Sequence, residues 1–385
     1  MLKFNPFNPQ QPARPDFFVG REPEIVEFEK FLGQTIMGSP MNMSISGNRG
    51  IGKTSILIKF EQIARENNCL VIRMSNYESN IKSIIDLCDF ICSNIKGEIL
   101  SKKPIKEKIS KANEWLKTFK PEIGWNDLTI SLEQKQIAQD IFRNRLNKLW
   151  EEIKPDFKSV VLLIDEAESL EKVQGALTFL REVFQRVSEN SNYMLVLAGK
   201  LNFPERMSES FSPLNRFFPV EKLKHFNKEE VKEYITKKLK EVDIRIDEDS
   251  ITYLYKNSEG HPYVLVAMCF LIFDSLNEGE GLIDIHLIKR TESKINSKLA
   301  MDFFSPMYHP LTKKAKEILL KITKNIQGIE FTFKEAVEWC DLESHYLSPY
   351  IFELMRKEIV NKPERAKYVF FHHLFLDYLS TLEID

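Results

Sequence analysis

Eight consecutive residues, Gly47-Asn48-Arg49-Gly50-Ile51-Gly52-Lys53-Thr54, carry the most specific chemistry in the chain. They satisfy G-x-x-x-x-G-K-[ST] at every fixed position. Glycine lets backbone N–H groups approach a phosphate that a Cβ would hold off, and a helix N-terminus adds partial positive charge. The spacing lets Lys53 reach β- and γ-phosphate oxygens and lets Thr54 offer its hydroxyl to Mg²⁺. A chance match in a glycine-rich loop is the alternative. It is countered by the expected buried strand Met43-Ser44-Ile45-Ser46 before the loop and the helical spacing of Ile56, Leu57, Ile58 and Phe60 after it.

The same chemistry needs a carboxylate at the end of a neighbouring strand. Val160-Val161-Leu162-Leu163-Ile164, the most apolar run in the sequence, delivers Asp165 and Glu166. Asp165 is placed to hold Mg²⁺ through water, and Glu166 to polarise an attacking water as the catalytic carboxylate. Lys200, beyond the strand that ends at Ala198, is either a γ-phosphate sensor or a plain surface lysine. Arg216 is either an arginine finger, in the same or a neighbouring subunit, or a salt-bridged surface residue. Arg206 is a weaker candidate for the finger.

Positioning such groups requires a scaffold. Strands that read as unbroken apolar runs and alternate with helices imply an α/β fold with a parallel sheet covered on both faces. The strands expected are Met43–Ser46, Leu70–Met74, Val160–Asp165, Tyr193–Ala198 and a short one near Phe217–Glu221, with a long helix from about Gln134 to Lys154 before the third. Residues 1–15 read as an extended lead-in. Residues 97–135, with Trp115 and Trp125, read as an insertion or extended connection within a core spanning 16–225. From Asn227 the strands give way to helices around 228–242, 247–256, 262–276 and 285–294, a helical lid over residues 226–300. Residues 301–385 show helices near 313–324, 333–339 and 349–357 and then the strand Tyr368–Phe371, the order of a winged helix-turn-helix. His372 and His373 read as a packed strand end.

Composition bounds the partners. The 385 residues hold 54 Lys+Arg against 56 Asp+Glu, a formal charge of −2, which argues against coating nucleic acid by bulk charge. Hydrophobic residues make up 43% and charged residues 29%, as expected of a folded globular chain. No run of roughly 18 apolar residues is present, and the first residues lack the apolar core of a signal peptide, so a cytoplasmic protein with no membrane partner is expected. The 5 cysteines make no disulfide framework. Cys88 and Cys92, four apart on a helix face, read as buried apolar residues, because a metal would need further ligands nearby.

With these residues assembled, the chain resembles the archaeal-type P-loop ATPases of the AAA+/STAND group, whose core is similar to that of the origin-recognition ATPases. Phe18-Val19-Gly20-Arg21-Glu22, Gly47–Thr54 with the following Ser55, Leu163-Ile164-Asp165-Glu166-Ala167, Pro213–Phe217 and Gly260-His261-Pro262 carry the resemblance. It implies ATP and Mg²⁺ as ligands and hydrolysis of ATP to ADP and phosphate as the activity. It also implies that Val19, Gly20, Arg21 and Pro262 contact the nucleotide beside Gly47 to Ser55 and Lys200. Relatives often carry a small hydroxyl residue where Lys200 stands. Gly-x-Pro independently suits a helix start, with a flexible residue followed by a fixed φ.

In the C-terminal unit the third helix would lie in a major groove of duplex DNA. Its face offers Tyr346, Tyr350, Glu353, Arg356 and Lys357, and Lys362, Arg365 and Lys367 mark a basic wing tip. These cations would position a backbone without reading bases. Winged helices in this group also serve as clamps or protein-binding modules, so a protein partner, self-association and DNA are all open. The expectation is an ATP-driven molecular switch, with a replication-initiator-like DNA-binding ATPase as the alternative.

Overall fold

The structure, a computed structural model, describes residues 4–75, 81–101, 132–364 and 366–382. Trp115, Trp125 and most of the expected insertion, together with Arg365, lie outside the described residues. Contacts divide the chain into two compact units. A sheet unit comprises Pro12–Asn48 and Gly52–Lys224, and a helical unit comprises Met1–Gln11, Arg49–Ile51 and His225–Asp385.

The sheet unit runs α1 (Glu22–Ile36), β1 (Met43–Ser46), α2 (Lys53–Glu66), β2 (Leu70–Ser75), α3 (Ile84–Ser101), α4 (Leu132–Ile153), β3 (Val160–Asp165), α5 (Ala176–Val187), β4 (Tyr193–Gly199), α6 (Phe203–Ser210), α7 (Leu214–Phe217) and β5 (Val220–Lys222). Among the described residues the strands form a five-stranded sheet in the order β2-β3-β4-β1-β5. Every pairing in it is parallel. β1, β3 and β4 are buried along their whole length, and β3 and β4 accordingly read as apolar runs. The edge strands β2 and β5 keep exposed residues.

Successive strand residues face opposite sides of the sheet. Leu70, Ile72, Val160, Leu162, Ile164, Leu195 and Leu197 enter one core with Ile91, Phe142, Phe179 and Phe184 from the helices. Phe142 and Phe179 stack at 6.2 Å between centroids, and Phe184 meets Tyr193 edge-on at 6.0 Å. Elsewhere in the unit Phe28 of α1 stacks on Phe60 of α2 at 4.0 Å, both fully buried. Cys88 is buried and Cys92 half-buried on α3, and burial pushes both thiols up, Cys92 to about 12. They are packing residues.

The helical unit runs α8 (Lys228–Leu239), β6 (Arg245–Ile246), α9 (Glu248–Ser258), α10 (Pro262–Asp274), β7 (Leu282–Ile283), α11 (Ile285–Leu299), α12 (Ser305–Tyr308), α13 (Lys313–Asn325), β8 (Glu330–Thr332), α14 (Phe333–Cys340), α15 (Ser344–Arg356), β9 (Val360–Glu364), β10 (Lys367–Phe370) and α16 (His373–Ser380). Start signals are explicit. Asn227 and Glu230 form a capping box on α8, Thr332 and Glu335 another on α14, and Asp247 and Asp284 cap α9 and α11. The lead-in is anchored here. Asn5 donates to the Phe270 carbonyl at 2.9 Å, and Phe7, 1% exposed, packs on Tyr234 and Phe273.

In the C-terminal part the helices α13, α14 and α15 accompany an antiparallel sheet in the order β8-β10-β9, an arrangement compatible with a winged helix. Two expectations needed correction. The third helix begins at Ser344 rather than near Pro349, which lies inside it. Proline removes one backbone donor there without ending the helix, because Leu347, Ile351 and Leu354 bury the apolar face on both sides of it. His372 and His373 are no strand end: His372 caps α16 by accepting from the Leu374 amide at 3.2 Å.

Candidate functional site

The loop between β1 and α2 is fixed from both ends. The Gly47 amide donates to the Gly199 carbonyl of β4 at 3.3 Å, and the Ile56 amide closes the first turn of α2 on the Gly52 carbonyl at 3.0 Å. Gly50 and Gly52 have φ of 77° and 103°, a backbone that glycine alone adopts without strain. Lys53 spans the loop, its ammonium donating to the carbonyls of Gly47 at 2.8 Å and Asn48 at 3.0 Å. The side-chain oxygen of Asn48 is buried with no hydrogen-bond partner. Buried polar atoms are rarely left so, and this one marks a place where a further polar group belongs.

β3 sits two strands from β1, with β4 between them. Asp165, 5% exposed, meets Thr54 across that gap: Thr54 Oγ1 donates to Asp165 Oδ2 at 2.7 Å. The other carboxylate oxygen accepts from the Glu166 amide at 3.0 Å. Hydroxyl and carboxylate together are hard oxygen donors of the kind Mg²⁺ takes, and they stand beside the first turn of α2. The residues present therefore fit Mg²⁺ and a polyphosphate: Thr54 and Asp165 as the oxygen donors, Lys53 and the glycine backbone for the phosphates.

Glu166 sits in the left-handed region, φ 54°, at the sharp exit from β3. Burial pushes its carboxyl up to about 7, and Glu168 adds to the shift while Lys53 opposes it. A carboxyl titrating near neutrality suits proton transfer to and from water. Two neighbours were not legible as site residues. Glu168, with a side chain 12% exposed, faces Lys200 at 3.7 Å, and Glu171 pairs with Arg206 at 2.7 Å. Burial pushes Glu171 to about 7 as well, against the pull of Arg206. The signal was the spacing of carboxylates after Asp165, which a 3-10 turn over Ala167–Lys172 gathers on one side.

The remaining candidates scatter. Arg21, 7% exposed with φ 72°, donates to the Lys224 carbonyl at 2.6 Å, closing the sheet unit on itself. Val19 is buried beside it, and Gly20 shares the positive φ at 69°. Ser55 accepts from the Ala13 amide at 3.1 Å. Arg216 is exposed on α7. Within the helical unit, the loop tip Arg49–Ile51 meets the start of α10: the Tyr263 amide donates to the Gly50 carbonyl at 3.2 Å, and His261 Nε2 to the Arg49 carbonyl at 3.0 Å. A Cβ on Gly50 would stand 2.8 Å from Tyr263 Cβ, so this contact also demands glycine. Pro262 opens α10 directly after His261. In the C-terminal part Arg356, Lys357 and Lys362 are exposed, whereas Lys367 is paired with Glu330 at 2.7 Å.

Residues 18–197, from the Gly-Arg-Glu segment through the phosphate loop and Asp165 to β4, match the AAA ATPase domain family. Among curated proteins the chain is 24% identical over 305 residues, 75% of this chain and 71% of the other, to an uncharacterized HTH-type transcriptional regulator, MJ0774, of Methanocaldococcus jannaschii. Among solved structures it is similar to the Walker-type ATPase PABY2304 of Pyrococcus abyssi, with a TM-score of 0.63, 17% identity and coverage of 97% of this chain and 99% of that one. The ORC2 protein of Aeropyrum pernix, solved in ADPNP–ADP complexes, gives a TM-score of 0.58 at 13% identity, covering 96% and 97%. The ORC1 protein of the same organism, solved with DNA, gives 0.51 at 15% identity, covering 95% and 93%. At these identities the solved structures speak for the fold. In the sheet unit the residues brought together are Lys53, Thr54, Asp165 and Glu166, with Glu168, Glu171, Lys200 and Arg206 as a charged cluster beyond them. Among the described residues no helix is long and apolar enough to cross a membrane.

Proposed function

We propose that the chain binds ATP with Mg²⁺, hydrolyses it to ADP and phosphate, and uses the nucleotide state as a switch over a protein or DNA partner. The observation that carries this reading is the convergence of Lys53, Thr54, Asp165 and Glu166 at one end of the buried strands β1 and β3. Lys53 and the amides of Gly47 to Thr54 take the β- and γ-phosphates. Thr54 and Asp165 hold Mg²⁺, which supplies neutralisation of the phosphate charge. Glu166 orients water for attack on the γ-phosphorus and takes its proton. Lys200, released from Glu168, is placed to sense the γ-phosphate, and Arg216 supplies the finger. Val19, Gly20 and Arg21 complete the nucleotide contacts of the sheet unit.

For a switch, ATP must bind one arrangement more tightly than the other, and a swing from 1:99 to 99:1 takes about 5.5 kcal/mol of differential binding. The deciding experiment pairs two variants. Lys53→Ala should lose nucleotide binding, and Glu166→Gln should keep ATP while turnover stalls. Undiminished turnover in Glu166→Gln would overturn the catalytic assignment.

The alternative, a replication-initiator-like DNA-binding ATPase, draws support from Arg356 and Lys357, both exposed at the end of α15, and Lys362 on the wing strand β9. Against it, Glu330 neutralises Lys367, and the exposed face of α15 carries Tyr346 and Phe352 at 61% and 65% exposure. Binding of duplex DNA that weakens steeply with salt supports the alternative, and no binding at about 50 mM salt favours a protein partner or self-association.

A further inference from the structure

Four of the 7 histidines gather around the turn Ser258-Glu259-Gly260 that joins α9 to α10. Each ring nitrogen that faces a backbone carbonyl must carry the hydrogen, because a carbonyl only accepts. His225 Nδ1 thus donates to the Glu259 carbonyl at 2.9 Å, His261 Nε2 to the Arg49 carbonyl at 3.0 Å, and His372 Nε2 to the Ser258 carbonyl at 3.0 Å. The lone pair left on His372 lies at Nδ1, where the Leu374 amide approaches at 3.2 Å. His373 completes the cluster with Nδ1 at 2.6 Å from Glu259 Oε1.

This arrangement exceeds what a salt bridge needs. Glu259 is held in the left-handed region, φ 50°, a conformation few non-glycine residues adopt. Gly260 after it has φ 66°, and a Cβ there would stand 2.0 Å from the Phe226 carbonyl oxygen. The carboxylate is therefore held by a rigid turn. Glu259, His372 and His373 each offer one ligand atom, and these atoms all lie within 4.8 Å of one another. His372 is fully buried, while the side chains of Glu259 and His373 keep 28% and 33% exposure, so the cluster has one wet side.

We propose that Glu259, His372 and His373 form a binding site for a late first-row divalent cation of the Zn²⁺ class. Two imidazoles and a carboxylate suit Zn²⁺, Co²⁺ or Ni²⁺, whereas Mg²⁺ and Ca²⁺ prefer all-oxygen sets. Three protein ligands leave the remaining position to water on the exposed side. The bond from His372 Nε2 to the Ser258 carbonyl is the outer-shell contact that fixes the tautomer of a metal-ligating histidine. Burial lowers His372 to about 4, so its ring is neutral at ordinary pH, and the His373 contact helps hold the Glu259 carboxyl below its usual range. The cation takes the place of the Nδ1 hydrogen of His373, which shifts to Nε2, and of the Leu374 contact at His372. It ties the start of α16 to the turn before α10. The site is independent of the ATP reading.

The test is calorimetric titration of the full, tag-free, nucleotide-free chain with Zn²⁺, with Co²⁺ absorption as a spectroscopic check. One saturable site is expected. Glu259→Gln and His373→Gln should each weaken it by more than the ~10–100-fold typical of losing an outer-shell partner. His373→Cys, which restores a ligand, should recover binding where His373→Gln does not. A triple variant at the exposed His286, His309 and His345 should bind as the parent does. No saturable binding below millimolar Zn²⁺, parental affinity in Glu259→Gln, or equal loss in the triple variant would overturn the site.

Discussion

Thr54 and Asp165, 111 positions apart, share a hydrogen bond of 2.7 Å across the gap that β4 fills between β1 and β3. The hydroxyl that would coordinate Mg²⁺ and the carboxylate that would steady it are thus positioned against each other by the chain itself. Thr54→Ala and Asp165→Asn should each raise the Mg²⁺ concentration for half-maximal phosphate release by about tenfold or more. Steady-state phosphate release against Mg²⁺, at saturating ATP, reads this out. A parental Mg²⁺ dependence in both variants would remove the pair from the metal site.

Lys200 offers a test that separates chemistry from stability. Its partner Glu168 lies at 3.7 Å, and the lysine side chain is 40% exposed, so the pair contributes less than about 1 kcal/mol to folding. Lys200→Ala should leave the melting temperature nearly unchanged and reduce kcat for ATP by roughly tenfold or more, with a smaller change in ATP affinity. Unchanged kcat would return Lys200 to the surface.

Two glycines with positive φ should behave differently. Gly279→Ala, at φ 86° with open space around it, should cost about 1–2 kcal/mol from the left-handed backbone alone. Gly260→Ala, at φ 66°, adds a Cβ 2.0 Å from the Phe226 carbonyl oxygen, which cannot move without breaking the Phe226 amide bond to the Gly260 carbonyl at 2.8 Å. Its cost should exceed the first by at least about 2 kcal/mol. Denaturant midpoints of the two variants give the comparison.

The buried His372 makes stability depend on pH. Its folded pKa is depressed to about 4, first by burial, with Glu259 and the Ser258 carbonyl opposing and His373 and His225 adding to the depression. Between its ordinary value near 6.5 and about 4 the unfolded chain binds a proton that the folded chain refuses, so stability falls as pH falls. The contribution, on the order of 3 kcal/mol, is complete above about pH 6.5 and gone below about pH 4. Denaturant unfolding followed from pH 7 to 4 should show this slope, and His372→Gln should flatten it. Equal slopes in both proteins would assign the acid sensitivity elsewhere.

The phosphate loop, Asp165 and Glu166 were legible because their chemistry is local. A glycine-rich turn must follow a buried strand and precede a helix, and a carboxylate at a strand end is read directly from the run before it. The start of α8 was legible too: the helix expected from residue 228 begins where Asn227 and Glu230 form a capping box. Boundaries slipped where tertiary packing overrides propensity. Pro349 suggested a helix start, yet Leu347 on one side and Ile351 on the other are buried on the same face, and the helix runs through.

Charge arithmetic, apolar periodicity and motif spacing determined by themselves that this is an α/β chain with a phosphate loop and a helical C-terminal region. What they could not supply is which distant residues meet. Strand order is decided by how twisted, doubly covered sheets pack, so nothing in the spacing says that β4 lies between β1 and β3. Only the folded chain brings Glu168 and Glu171 to Lys200 and Arg206, or gathers His225, His261, His372 and His373 around Glu259. Those contacts span up to 114 positions, and a sequence pattern carries no term for an encounter that side-chain packing alone decides.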